Sequence, residues 1–339
     1  MQDSSLPTTQ PQGQSRRLLL ILIGIAISVI FLFLAFRGLQ PEAFISSLSD
    51  LNPTWLLIGA LVYGLAVTVI ALRWQFLLNS VQRVALFPLT KIVAIGYMGN
   101  NVYPLRAGEA LRVLLLRRNH GVRLAGSATT VVLERVFDGI VMLTFILIGL
   151  AGATVQSEEV RLVASIATPI FGIAVLVFFT LAAFPAVLRR LVEIIAKLLP
   201  TTLSEILLRI SEDIIDGLSS LRSPVQLFGA VIASYTTWAI EAGVYWLVMQ
   251  AFGLDLSYAV ALLAVGTVNL AGLIPASPGQ VGVYEFFVSS VLIAVGVAQD
   301  TALAYAIVVH LVIWLPVTLA GFGFLVQQGL GWSDIRKAQ

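Results

Sequence analysis

Residues 100–112 read NNVYPLRAGEALR and residues 274–285 read IPASPGQVGVYE. Both set proline, glycine and polar or ionisable side chains inside long apolar tracts. Irregular backbone at membrane depth leaves amides and carbonyls unpaired, and it persists where it is buried in protein or lines a wet cavity. In the second stretch Ser277 suits an N-cap, Pro278 fits the first helical position, and Gln280 completes a capping box. This predicts a half-helix starting around Ser277-Pro278-Gly279-Gln280, with its free amides and positive dipole end inside the membrane. Such an end attracts an anionic group, phosphate being the commonest. The first stretch offers the same kind of end plus the guanidinium groups of Arg106 and Arg112, and Asn100 and Asn101 are suited to hydrogen-bond a polar headgroup. One such break is explained as well by a proline kink; two in mirrored positions point to a cavity.

Further ionisable residues lie in apolar surroundings, where they are costly and face a cavity or a partner. Glu134, Arg135 and Asp138 occur in LERVFDG. Glu134 and Asp138 are four apart, hence on one helix face, and are candidates to clamp Arg106 or Arg112. Arg73 is close to one end of its apolar tract and is expected to snorkel. Glu241 lies in TWAIEAGVYW, Glu109 and Glu285 follow the two breaks, and His310 stands alone in the last tract, where packing is a commoner role than ligation. Arg73, Arg112 and Arg135 are outnumbered by Glu109, Glu134, Asp138, Glu241 and Glu285, an acid excess that makes Glu285 or Glu241 a candidate for proton coupling.

These residues need elements to hold them. The chain has 339 residues, 58% hydrophobic and 11% charged, with a mean hydropathy of +0.96; soluble domains carry roughly a quarter charged residues. The fold class is an all-α polytopic membrane protein. Apolar tracts at about 18–36, 54–78, 125–152, 161–183, 224–252 and 301–327 have the length of full spans. Regions 88–118 and 257–297 are each broken near the middle. A crossing at 88–104 would put a basic cluster from Arg106 to Arg123 outside or at the start of a second crossing too short to complete, so 88–118 reads as a re-entrant hairpin. For 257–297 a hairpin and two tilted spans have the same polarity.

The resulting order is span, span, hairpin, span, then the same from the other side: an inverted-topology repeat. Pro104 with Gly108 and Pro275 with Gly279 echo one another at the two breaks. The division is a cytoplasmic tail over 1–17, a first membrane half over 18–185, an amphipathic cytoplasmic linker over 186–222, a second half over 223–327 and a cytoplasmic tail over 328–339. Lys and Arg gather in the segments assigned to the cytoplasm, so both termini are expected there.

Taken together, GNNVYPLRAGEALRVLLLRR, LERVFDG and IPASPGQVGVYE resemble the flippase-like membrane domain of bacterial lysylphosphatidylglycerol synthases. The resemblance covers roughly 18–327 and implies a location in a bacterial inner membrane. It points to Asn101, Pro104, Gly108, Glu109, Arg112, Glu134, Arg135, Asp138, Pro275, Pro278, Gly279, Gly282 and Glu285 as functional positions. In the synthases this domain is understood to move an aminoacylated lipid across the bilayer, while a separate C-terminal domain transfers the amino acid. The sequence ends soon after its last apolar tract, so a stand-alone member without transferase activity is expected.

The chain has no Cys, which excludes disulfides and thiolate metal sites. Its two histidines lack metal-ligand spacing, and no phosphate-binding glycine loop or nucleic-acid motif occurs, so no cofactor, metal or nucleic-acid partner is expected. Three function classes stay open: a translocase for an anionic or zwitterionic (glyco)phospholipid or lipid-linked headgroup, an intramembrane lipid-modifying transferase, and a non-transporting partner of a lipid-modifying or glycosyl transferase.

Overall fold

A computed structural model describes residues 12–79, 81–104, 107–153 and 223–328 and parts of 169–212. Helix α1 (Gln12–Phe36), the short α2 (Pro41–Ser49) and α3 (Pro53–Leu78) come first. Helices α4 (Leu86–Val102) and α5 (Ala107–His120) make one hairpin, and α6 (Leu124–Gly152) follows. After the short α7 (Pro185–Ala196) come α8 (Pro224–Ala251), a second hairpin of α9 (Tyr258–Ala271) and α10 (Val283–Ala294), and α11 (Gln299–Gln327). No strand occurs among the described residues.

The segments Leu19–Phe36, Pro53–Leu78, Pro224–Ala251 and Gln299–Gln327 are each long and apolar enough to cross a membrane. Helix α6, with 29 residues, has the length but carries Glu134, Arg135 and Asp138. The expected span at 161–183 falls almost wholly outside the described residues, as do Arg106, the tail residues 1–11 and 329–339, and much of the linker. Of the linker, α7 exposes Val187, Leu191, Ile194 and Ile195 while Val192 and Ala196 are buried.

Sequence chemistry accounts for several helix boundaries. Asn52 accepts from the Thr54 amide at 3.0 Å and Pro53 occupies the first helical position of α3, a cap that satisfies an otherwise unpaired amide. Hairpin arms α4, α5, α9 and α10 have 17, 14, 14 and 12 residues. At 1.5 Å per residue the longest comes to about 26 Å, short of a hydrocarbon core of roughly 30 Å.

Hydrogen bonds at the ends of the bundle fix the direction of the helices they join. At one end Gln82 donates to the His120 carbonyl, Asn119 bonds Gln328, Lys91 reaches Gln327 and Asn79 bonds Gln226. The C-termini of α3, α5 and α11 therefore share this end with the N-termini of α4 and α8. At the other end the Gln40 amide donates to Asp300, Gln299 to the Arg37 carbonyl, and the Asn52 amide to the Ala251 carbonyl. Both arms of the first hairpin thus open at the first end. The second hairpin starts after α8 and finishes before α11, and so opens at the opposite end. The two helices of region 257–297, with 14 and 12 residues, are as short as those of the first hairpin.

Among the described residues the helices pair as an inverted repeat would pair them. Helix α3 packs most extensively on its counterpart α8; α4 packs on α11 as α9 packs on α6. Each half thus wraps the other's hairpin. One apolar core gathers Tyr63, Trp74, Ile92 and Met98 around the first hairpin, and a second gathers Phe145, Tyr245, Val265 and Val288 around the other. Exposed Leu57, Leu61 and Leu65 on α3 and Leu22 and Phe33 on α1 form an outer surface suited to hydrocarbon.

Candidate functional site

The hairpin breaks differ in construction. In the first, the Asn100 side-chain oxygen accepts from the Gly108 amide at 2.9 Å, capping α5. A methyl on Gly108 would overlap the Gly96 carbonyl and Asn100, so this glycine exists for close packing of the two arms. In the second, Gly279 is left-handed at φ 69° and Gln280 also has positive φ. These two residues interrupt the helix expected to start at Ser277. A 3-10 turn, Pro278–Gln280, stands there instead, and α10 starts at Val283. The Ser277 side chain caps nothing; Glu285 carries out that task, accepting from the Gly282 amide at 2.6 Å. The matching proline–glycine spacings therefore hold glycines with different duties.

The breaks approach each other across Asn101 and Gly279. A methyl on Gly279 would stand 2.9 Å from Trp314 Nε1 and 3.4 Å from the Asn101 carbonyl. Asn101 Nδ2 donates to Thr318 Oγ1 at 2.8 Å, tying the first break to α11. Helix α1 closes the outer side, where the Ser277 amide donates to Ser28 Oγ at 2.9 Å and Phe31 packs edge-on against Phe286.

A cavity of about 350 Å³ lies between the breaks. Of the residues singled out from the sequence, Asn100, Asn101, Glu109, Arg112, Arg135, Glu241, Pro275, Ser277, Pro278, Gly279 and Gln280 line it. Pro104, Gly108, Glu134, Asp138 and Glu285 are absent from its wall, and Arg106 lies outside the described residues. Tyr63, Tyr97, Trp238, Asn269 and Trp314 also line it. Sequence reasoning missed these because aromatic and amide residues in a span carry no signal that separates a cavity wall from ordinary packing.

From the wall inward runs a network of three arginines and three carboxylates, of which Glu109, Arg112 and Arg135 line the cavity. Arg73 is ion-paired to Asp138 and lies 3.6 Å from Glu134. Arg112 donates to Glu134 at 2.8 Å. Arg135 lies 3.4 Å from Asp138 and 3.6 Å from Glu109, and the Trp238 indole donates to Asp138 at 2.7 Å. Arg73 does not snorkel: it is fully buried, because the first hairpin and α6 cover that end of α3. Glu134 clamps Arg112 as expected, whereas Asp138 serves Arg73 and Arg135.

Arg112 is the arginine of this network that is both buried and part of the cavity lining. Its guanidinium sits 4.1 Å from the Trp74 ring centroid, a cation–π arrangement. Its Nε and Nη2 are buried with no acceptor among the described residues. Buried donors left unpaired are costly, and the oxygens of an anion are acceptors that would satisfy them. His310, which looked like a packing residue, lines the cavity, bonds Glu285 at 2.6 Å and stacks on Tyr284. Both Glu285 oxygens are therefore engaged. No group of three or more His, Cys, Asp or Glu among the described residues could hold a metal ion.

Two inverted broken hairpins meeting at a charged cavity define a class of polytopic membrane protein. The family profile described as "Lysylphosphatidylglycerol synthase TM region" matches residues 21–321, and the chain belongs to that family. It is 25% identical over 336 residues to Glycosyltransferase AglD of Haloferax volcanii, covering 90% of this chain and 54% of that protein. The chain thus spans about half the length of AglD. It is also 22% identical over 324 residues to a UPF0104 membrane protein of Pyrococcus horikoshii, covering 90% of this chain and 96% of the relative. A UPF0104 membrane protein of Methanothermobacter thermautotrophicus is 24% identical over 316 residues, 87% of this chain and 90% of the relative.

Proposed function

We propose that this protein moves a phosphate-bearing lipid, an anionic or zwitterionic (glyco)phospholipid or lipid-linked headgroup, between the leaflets of the cell membrane, with both termini in the cytoplasm. The observation that carries this reading is Arg112: a buried guanidinium beside the cavity, anchored by Glu134 and Trp74, with two nitrogens that have no acceptor among the described residues. A planar fork of this kind matches phosphate oxygens in shape and charge. The inverted hairpins support it further, since midplane sites between inverted repeats suit alternating exposure to the two sides. The headgroup would occupy the cavity while the acyl chains stay in hydrocarbon beyond α1.

The name of AglD supports a second reading, in which the membrane region assists a glycosyl or lipid-modifying transferase. That name describes a protein of which this chain matches 54%. Purified protein in proteoliposomes with radiolabelled anionic phospholipid separates the readings. Accelerated exchange between leaflets with the lipid chemically unchanged is expected. A covalently altered lipid supports an enzyme instead, and neither outcome in active-folded samples leaves the partner role.

A further inference from the structure

The charges around the cavity do not balance locally, and the imbalance sits at one residue. Arg73, Arg112 and Arg135 are matched by Glu134, Asp138 and Glu109, and Glu285 is matched by His310. Glu241 on α8 remains. It lines the cavity, is 6% exposed, and forms no ion pair among the described residues. A carboxylate taken out of water without a partner is strongly disfavoured, so a positively charged species should complete the site.

The surroundings are built to hold one. Asn269 on α9 lies beside the Glu241 carboxyl. Tyr63 on α3, Tyr97 on α4, Tyr245 on α8 itself and Tyr284 on α10 lie within its electrostatic reach. Asp138 on α6 adds negative charge from behind the wall, although it is held by Arg73 and Arg135. His310 and Trp314 of α11 border the same cavity. The arginines that line the cavity come from the first half of the repeat and Glu241 from the second. The cavity wall therefore carries arginines from the first half and, from the second, a carboxylate with no ion-pair partner among the described residues.

We propose that Glu241, assisted by Asn269, is a binding site for a monovalent cationic group in the wall of this cavity. The shared chemistry is a single positive charge, and its sources are a proton, an alkali ion or an alkylammonium group. The site rests on the reading of the cavity as a headgroup chamber only for its consequence in transport; binding is tested separately.

The test is the thermal unfolding midpoint of the purified full chain, wild type against Glu241→Gln. It is measured across a pH series, in NaCl against choline chloride at constant ionic strength, and with added ethanolamine. Glutamine retains the shape and removes the charge. The expected result is that at least one of these cations shifts the wild-type midpoint and that the shift is lost in Glu241→Gln; the responding arm names the source. Identical responses of the two proteins in all three arms overturn the proposal. If Glu241→Gln does not fold, Asn269→Ala takes its place: a weakened response is expected, and an unchanged one overturns the assignment. Because this readout needs no lipid movement, a protein that binds the cation yet fails to translocate lipid refutes the transport reading alone.

Discussion

Arg112 Nη1 and Glu134 Oε2 meet at 2.8 Å, and this one bond fixes the guanidinium of a residue that lines the cavity. Arg112→Lys preserves the charge but lacks the planar fork. Losing a charge-assisted hydrogen bond of about 1.5–3 kcal/mol should weaken binding of a phosphate-bearing lipid roughly 10- to 100-fold. Titration of a fluorescent anionic lipid into nanodiscs containing the protein measures this. An unchanged affinity in a folded Arg112→Lys protein removes the arginine from the site.

Arg73 has the opposite role. It is fully buried, paired to Asp138 and close to Glu134, and it does not line the cavity. Arg73→Met leaves two buried carboxylates short of a counter-charge. Removing one partner of a buried pair costs about 3–5 kcal/mol, so a large drop in thermal or detergent-induced unfolding stability is expected. A melting profile equal to wild type would show that the cluster does not support the fold.

Two glycines offer a sharper contrast. A methyl added at Gly108 meets the Gly96 carbonyl and Asn100, while one added at Gly64 on α3 meets nothing within 4 Å. Gly108→Ala should force the arms of the first hairpin apart and destabilise the protein. Gly64→Ala should stabilise it by about 0.5–1 kcal/mol, the usual helical gain of alanine over glycine. Unfolding midpoints of the two variants check both signs together.

The absence of native Cys makes orientation directly measurable. Exposed Arg118 lies at the bundle end shared with Arg83, and exposed Asp50 at the opposite end near Asp300. Following the preference of Lys and Arg for the cytoplasm, Asp50→Cys in intact cells should react with a membrane-impermeant thiol reagent. Arg118→Cys should react only after the membrane is opened. The reverse pattern would invert the assignment of both termini.

The two breaks were legible in the sequence because proline, glycine and charge interrupt apolar tracts. Region 88–118 read as a hairpin because its second arm is too short to cross, whereas 257–297 stayed open between a hairpin and two spans. The details of the breaks were not legible. Ser277, Pro278 and Gln280 have the spacing of a capping box, yet left-handed backbone at Gly279 and Gln280 delays the helix until Glu285 can cap it through Gly282. Arg73 looked free to snorkel because distance along a helix was the available measure of depth. Burial came from the hairpin and α6, which reach it through tertiary packing. His310 seemed solitary for the same reason: its partner Glu285 is 25 residues away in sequence.

The central claim is that a lipid headgroup passes through the cavity between Arg112 and the second hairpin's break. The most direct measurement is inter-leaflet exchange of a fluorescent anionic phospholipid in proteoliposomes, read by bleaching the outer leaflet, for wild type, Arg112→Lys and protein-free vesicles. The account predicts fast exchange with wild type, slowed exchange with Arg112→Lys, and none above background without protein. Equal exchange in wild-type and protein-free vesicles, with the wild type folded and inserted, would contradict it.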